Sequence, residues 1–206
     1  VLVYSSYSEW LHSPYSDPET GKSCQDCHMP AVAYNYAAYP AKGGPLRPAG
    51  QVHDHTMPGG YDENLLQNAV SLSASARTSG GRLWVTVDVT NDQTGHDVPT
   101  DSPLRHLILL VEATDAAGEK LVWRSGRLLP EWAGEYRGET GRIFAKILRD
   151  DLTGEMPTGA IWRPVTVASD TRIPAKATRR NSFSFTPPAD GLSNIRVRLI
   201  YRRAWP

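Results

Sequence analysis

Apolar and polar residues alternate in short runs from about residue 66 to the end of the chain. Alternation with a period of two is typical of half-buried β-strands. Gly80 and Gly81 separate the first two runs and predict a tight hairpin. The alternating runs are AVSLSASAR, RLWVTVDVT, LRHLILLVEAT, KLVWRSGRLL, GRIFAKILRD, IWRPVTVASDTRI, RRNSFSFTP and NIRVRLIYRR. We therefore predict a mainly β protein, with about seven or eight strands in an antiparallel β-sandwich, Ig-like in outline, over residues 66–206.

One face of the second run is entirely apolar and is expected to pack against the opposite sheet. Its residues are Leu83, Val85, Val87 and Val89. His106 precedes the continuous apolar run LILLV. We therefore expect His106 to pack in the core or at a sheet edge rather than to bind a ligand.

Residues 1–65 have little periodicity beyond a short helical pattern around residues 5–11. The stretch YNYAAYPAKGGPLRPAG is rich in Tyr, Pro and Gly, which predicts irregular backbone. A long irregular segment is usually either disordered or functional, and a bound cofactor would supply the apolar surface that this one lacks. The predicted organisation is a cofactor-binding segment, residues 1–65, followed by the sandwich domain, residues 66–206.

Charge and hydropathy exclude several classes of partner. The chain has 22 basic and 22 acidic side chains, so its balanced charge favours neither nucleic acid nor an anionic membrane. It also lacks an apolar run of about 18 residues, so no transmembrane segment is predicted.

The two cysteines of the chain, Cys24 and Cys27, lie in the sequence CQDCH, which ends at His28. A redox dithiol would be expected in a βαβ unit, which the surrounding Pro and Gly residues do not indicate. A zinc site would need a second pair of ligands from distant histidines. The pattern C-x-x-C-H is typical of covalent haem, with two thioether bonds and the histidine as proximal iron ligand. We therefore predict one haem c per chain and, because such haems are attached outside the cytoplasm, a periplasmic or extracellular location.

The sequence does not determine which residue is the sixth iron ligand. His53 and His55 lie in VHDHTMPGG, and His96 lies in TGHDVPT, both loops rich in Gly or Pro. His12 is a further candidate for this haem or for a neighbouring one. A free sixth position would instead favour small-molecule redox catalysis or sensing, with His53 or His96 as acid or base.

Calcium is a second cofactor candidate. The loop around His96 contains Asp92, Asp97 and Asp101, whose oxygens are suitable calcium ligands, although their spacing is not that of an EF-hand.

The order of several motifs resembles the C-terminal part of multihaem c-type cytochromes. The matching pieces are EWLHSPYS, SCQDCHMP, HTMPGG, TGHDVPT, VEATDAAGEKLVWRSG, DTRI and LIYR. The resemblance implies a bis-His haem, electron transfer and a sandwich domain, with His55 as the distal ligand. The upstream W-x-x-S-x-H pattern of that family would place a histidine at Tyr15, whereas this chain has His12.

A single C-x-x-C-H motif departs from the family, whose members carry several. One iron binds at most two histidines, but the chain has six, including His12, His53 and His96. We hypothesise that surplus histidines bind a haem held by another chain or by a further part of the protein. Other cytochrome subunits or redox proteins are the expected partners, in a homo- or hetero-oligomer that head-to-tail contacts would extend into a filament. The sandwich lacks a recognisable catalytic constellation, which favours an electron carrier over an enzyme.

Overall fold

The computed structural model describes residues 3–206 and confirms a mainly β chain with antiparallel sheets behind a small helical N-terminal segment. Residues 1 and 2 of the predicted first segment lie outside the described residues. The α-helices are α1 (Ser6–Leu11), α2 (Cys24–His28) and α3 (Glu63–Ala69). The strands are β1 (Ser71–Ser79), β2 (Arg82–Thr90), β3 (His106–Asp115), β4 (Trp123–Ser125), β5 (Gly141–Phe144), β6 (Lys146–Asp150), β7 (Val165–Asp170), β8 (Thr178–Phe185) and β9 (Ser193–Arg202).

Two antiparallel sheets form the sandwich, with strand orders β1-β2-β8-β4 and β5-β3-β9, and β6 pairs with β7 beside them. The predicted first hairpin is confirmed, since β1 and β2 pair from Ser71 with Thr90 to Ser79 with Arg82. Gly80 and Gly81 connect them with φ of 58° and 68°, values that favour glycine.

The main core lies between the two sheets. The predicted inward face of β2 is confirmed, because Val85, Val87 and Val89 are fully buried and Leu83 is 4% exposed. The three valines belong to one apolar cluster that also includes residues of β3, β5 and β8, with Leu107, Leu109, Val111, Phe144, Phe183 and Phe185. Burial of this surface is the main source of stability in the sandwich.

The other face of β3 is buried as well, which explains its unbroken apolar sequence. Ile108 and Leu110 pack against a short 3₁₀-helix, Glu131–Tyr136, in a second apolar cluster. His106 is fully buried at the start of β3 and stacks on Trp205 with ring centroids 3.9 Å apart. His106 is therefore a core residue, as expected.

The structure departs from the predicted elements in two places. The run GRIFAKILRD forms two strands, because β5 pairs with β3 whereas β6 turns away at Ala145 to pair with β7. The run KLVWRSGRLL contributes only the three residues of β4. The predicted boundary after residue 65 falls within α3.

Residues 3–65 contain almost no buried side chains of their own. Ser13 is the buried residue of this segment, and all buried apolar residues of the described chain lie at Leu83 or beyond. The segment is attached to the sandwich by polar contacts described below. No helix in residues 3–206 is long and apolar enough to cross a membrane.

Candidate functional site

The two cysteines lie on one short helix. Cys24 and Cys27 are three residues apart on α2, so their thiols are on neighbouring positions of one helix face, and both are free and exposed. Ser23 and Asp26 form a capping box at its start, with the Asp26 carboxylate accepting from the Ser23 backbone at 2.7 Å. Because five residues are too few for a helix to be stable alone, α2 depends on its cap and on outside contacts.

His28 ends this helix and is oriented by a carbonyl from a later loop. Its Nδ1 lies 2.6 Å from the carbonyl oxygen of Pro58, which only accepts, so Nδ1 carries the proton and Nε2 is left for a metal. The loop is itself fixed against the sandwich, since a Cβ at Gly60 would lie 2.5 Å from the hydroxyl of Tyr201 on β9. The sandwich therefore holds His28 through this loop.

His96 lies in the loop between β2 and β3. Its Nδ1 lies 2.8 Å from the carbonyl oxygen of Asp97, which again leaves Nε2 free. Its own carbonyl oxygen accepts hydrogen bonds from Asn91 at 2.7 Å and from Thr94 at 2.8 Å. Burial lowers the pKa of His96, partly opposed by the Asp97 carbonyl, which favours the neutral imidazole that binds metals.

The rings of His28 and His96 lie near each other and are almost parallel. Their centroids are 6.3 Å apart and their planes differ by 19°, whereas the contacting rings of His106 and Trp205 are 3.9 Å apart. Two imidazoles that bind one iron from opposite sides have centroids about 6 Å apart, because each metal–nitrogen bond spans about 2 Å and each centroid lies about 1 Å beyond. The pair therefore has the centroid separation that two histidine ligands of one metal ion would have.

A buried ionic cluster joins α1 to the His96 loop. Arg172 is 7% exposed, and its guanidinium contacts Glu9 at 2.6 Å, Asp97 at 3.1 Å and Asp170 at 2.8 Å. Glu9 also accepts hydrogen bonds from the Asp97 backbone at 3.2 Å and from the Thr100 hydroxyl at 2.6 Å. The cluster thus fixes Asp97 and Thr100, which follow His96 in the same loop, and ties them to the N-terminal segment.

The protonation of this cluster matches its geometry. Burial raises the pKa of Glu9, but hydrogen bonds from Ser5, Thr100 and Arg172 outweigh it and hold the pKa below its ordinary value. Burial likewise opposes ionisation of Asp170, and Arg172 again lowers its pKa overall. Asp97 has a raised pKa, because its burial outweighs the attraction of Arg172. Sequence reasoning missed Arg172, since Glu9 is 163 residues away from it.

Close packing supports the same loop. A Cβ at Gly95 would lie 3.1 Å from side-chain atoms of both Trp10 and Tyr15, so these aromatic rings lie directly against the backbone beside His96. Tyr15 also donates a hydrogen bond to the Asp92 carbonyl at 3.1 Å. The N-terminal segment therefore packs closely against the loop. The close packing favours glycine at position 95, because a larger residue would contact these rings.

The other candidate histidines do not form a ring pair with His28 in the described part of the chain. His53 is half-buried and directs Nδ1 to the Met29 carbonyl at 2.6 Å. His12 and His55 are exposed and direct Nδ1 to the carbonyls of Ser8 and His53, at 2.6 and 2.9 Å. All three leave Nε2 available. In residues 3–206, however, none of these rings pairs with another histidine ring.

The three carboxylates proposed for calcium are engaged separately. Asp97 pairs with Arg172, Asp101 pairs with Arg105 at 3.5 Å, and Asp92 accepts from the Ser71 hydroxyl. Within residues 3–206 no group of three or more His, Cys, Asp or Glu side chains converges on a possible metal position. The calcium hypothesis therefore has no structural support in this region.

The chain is similar in structure to a known cytochrome. Over 99% of its length it matches the crystal structure of a penta-haem cytochrome c552 from Thermochromatium tepidum, with a TM-score of 0.67 and 25% sequence identity. The chain spans 44% of the length of that protein. No protein-family model matches the sequence, and no curated protein matches it. The fold is thus like that of part of a multihaem cytochrome.

Proposed function

We propose that this chain transfers electrons through one covalently bound haem c, attached at Cys24 and Cys27, with His28 as proximal ligand and His96 as distal ligand. The observation that carries the proposal is the pair of almost parallel His28 and His96 rings, with centroids 6.3 Å apart. His96 replaces His55 as the favoured distal ligand, because His55 is exposed and makes no such pair in the described residues. The likeness to a penta-haem cytochrome supports the same function.

The residues around the site are suited to holding two neutral imidazoles in place. Carbonyl acceptors at Pro58 and Asp97 fix the ring orientations and leave Nε2 of each histidine for iron. Haem with two histidine ligands supplies one-electron redox chemistry and has no free position for substrate. The arrangement favours outer-sphere electron transfer over catalysis at iron.

His96→Ala tests this assignment, with His55→Ala as the matched control. We expect the oxidised wild type and His55→Ala to give low-spin absorption and EPR spectra, and His96→Ala to become high-spin while keeping its haem through the thioether bonds. External imidazole should restore the low-spin spectrum of His96→Ala. A high-spin spectrum in His55→Ala, with His96→Ala unchanged, would contradict the assignment.

We further propose that the chain works in a larger exported assembly and that His12 and His53 bind haems attached elsewhere. Each presents a free Nε2, with Nδ1 already bound to a carbonyl. The chain spans 44% of the length of a cytochrome with five haems, and this supports a role for its surplus histidines as ligands of haems attached elsewhere. Covalent haem attachment favours a periplasmic or extracellular location. The organisation into a haem segment, residues 1–65, and a sandwich, residues 66–206, is part of this proposal.

The test is an EPR spectrum of the oxidised full-length assembly that carries either His12→Ala or His53→Ala. Each variant should leave the haem at Cys24 and Cys27 low-spin and should convert one other haem to high-spin. If neither variant changes the spectrum of any haem in the assembly, the surplus histidines are not ligands.

A further inference from the structure

His106 is a buried histidine that the proposed haem site does not use. It is fully buried at the start of β3, and its side chain lies on the same face of that strand as Ile108 and Leu110. Its ring is stacked on the ring of Trp205, with an angle of 13° between the two planes. Trp205 in turn contacts Trp132 edge-on, with ring centroids 4.9 Å apart. The segment that follows β9 therefore covers His106.

The hydrogen bonding of His106 fixes its protonation state. Its Nδ1 lies 3.0 Å from the carbonyl oxygen of Leu104, so Nδ1 donates a hydrogen bond and Nε2 carries no proton. Nε2 is buried without a hydrogen-bond partner in the described residues, and so is Nε1 of Trp205. A proton could therefore bind His106 only at Nε2, where the new N–H would be a buried, charged donor without an acceptor. Such a group is unfavourable in a protein interior.

Positive charge beside His106 also opposes its protonation. Arg202 is the cross-strand neighbour of His106 on β9. Burial lowers the pKa of His106, a hydrogen bond to a backbone carbonyl opposes this effect, and the charge of Arg202 lowers the pKa further. Glu135 pairs with Arg202 rather than with His106. Other charged groups on the elements around His106 are Arg105, Glu131, Arg198 and Arg203.

Residues 203–206 are held to the sandwich by side-chain packing. A Cβ at Gly134 would lie 2.7 Å from Cγ of Pro206, so the segment lies against the 3₁₀-helix as well as against His106. Within the described part of the chain, the backbone of residues 203–206 forms no hydrogen bond with other backbone groups. The segment can therefore detach without breaking either sheet.

We propose that His106 and Trp205 form a pH-sensitive switch, in which proton binding at Nε2 of His106 releases residues 203–206 from the sandwich. Release lets water reach the charged imidazole, which Trp205 covers in the closed state. It also uncovers Trp132 and Ile200, which are partly buried against the second apolar cluster. The switch does not involve the proposed iron ligands, so its failure would leave the haem assignment unchanged.

Acid should favour the open state. In the open state His106 has the ordinary histidine pKa of 6.5, whereas its pKa in the closed state is lower. The closed state is therefore fully favoured above pH 6.5 and loses stability as pH falls toward the closed-state pKa. Because opening takes up one proton over this interval, the equilibrium constant for opening should rise about tenfold for each unit that pH falls.

The test is solvent exchange of the Trp205 indole N–H, followed by NMR on the ¹⁵N-labelled haem-loaded chain between pH 7 and pH 5. After correction for the intrinsic exchange rate at each pH, opening in the wild type should increase about tenfold per unit of falling pH. His106→Phe keeps an aromatic ring for stacking but cannot bind a proton, so its opening should not depend on pH. His55→Phe, at an exposed histidine, is the matched control and should behave as the wild type does.

Three results would overturn the proposal. They are opening of the wild type that does not change with pH, an unchanged pH dependence in His106→Phe, and loss of amide protection in β2 at the same pH, which would assign the change to unfolding of the sandwich. If His106→Phe fails to fold, Trp205→Ala replaces it. His106 should then titrate at a higher pKa than in the wild type, followed by the NMR shift of its Cε1–H, and an equal pKa in the two proteins would contradict the proposal.

Discussion

The two regions of this protein are stabilised in different ways. The sandwich buries a continuous apolar core between its sheets, whereas residues 3–65 contain exposed aromatic residues such as Tyr34 and Tyr39, at 52% and 67%. The N-terminal segment is held instead by the Arg172 cluster, by the close approach of Gly60 to Tyr201 and, in our proposal, by haem. The comparison indicates that the sandwich is a scaffold and that the first segment depends on what it binds.

The largest effect is expected from removing the thioether bonds. Cys24→Ala with Cys27→Ala should abolish covalent haem and leave residues 3–65 without their main apolar partner, while the sandwich stays folded. Hydrogen exchange should show lost protection in residues 3–65 and retained protection in β2, β3 and β8. Equal loss of protection in both regions would contradict the conclusion that the two regions are stabilised in different ways.

A core substitution should act on both regions. Phe183→Ala removes a side chain that is 1% exposed between the sheets, and we expect it to cost about 3–5 kcal/mol of unfolding free energy. Because β9 and the β2–β3 loop support the histidines, low-spin haem should be lost in the same urea transition that unfolds the sandwich. Separate transitions would show that the haem segment does not need the scaffold.

Breaking the ionic cluster should have a somewhat smaller effect. Arg172→Gln leaves Glu9 and Asp170 without their cation, and we expect a loss of about 3 kcal/mol. Arg180→Gln is the control, because its ion pair with Asp88 is 72% exposed on the arginine side and should contribute little to stability. Equal losses of stability in thermal unfolding would mean that the buried cluster stabilises the fold no more than the exposed ion pair does.

The same cluster predicts a pH dependence. The pKa of Glu9 is lowered on folding, so its contribution to stability is complete above its ordinary pKa of 4.5 and is lost as pH falls through the lower, folded-state value. Asp97, with a raised pKa, acts in the opposite direction. Glu9→Gln should therefore show a smaller drop in melting temperature than the wild type between pH 6 and pH 3. A parallel drop would exclude a role for Glu9.

The smallest effect is expected at the exposed edge of the sandwich. Leu72 lies on β1, all nine residues of which are exposed, and is itself 39% exposed. Leu72→Ser should cost less than about 1 kcal/mol, in contrast to Phe183→Ala. A larger loss in urea unfolding would indicate that the edge of the sheet is packed more closely than its exposure implies.

Most of the sandwich could be predicted because alternation is a local property. Val85, Val87 and Val89 were identified from their spacing alone, and the Gly80–Gly81 turn from its composition. The division of β5 from β6 depends on which distant strand each pairs with, which no local pattern records. Pairing between strands that are far apart in sequence therefore limits how much of the fold can be predicted from local patterns.

The candidate site was predictable only in part for the same reason. The spacing of Cys24, Cys27 and His28 is itself typical of covalent haem, so the proximal ligand is a prediction that the sequence alone makes. His55 and His96 both lie in Gly- and Pro-containing loops, and nothing local separates them as distal candidates. Their distinction comes from Arg172 and Glu9, which fix the His96 loop although they are 163 positions apart in sequence.

The central claim is that both iron ligands, His28 and His96, come from one chain. The most direct measurement is EPR of the oxidised protein over a dilution series, with light scattering to establish the monomer. The account predicts a low-spin bis-His signal that is unchanged in the dilute monomer. Conversion to a high-spin signal as the assembly dissociates would contradict it, because the sixth ligand would then come from a neighbouring chain.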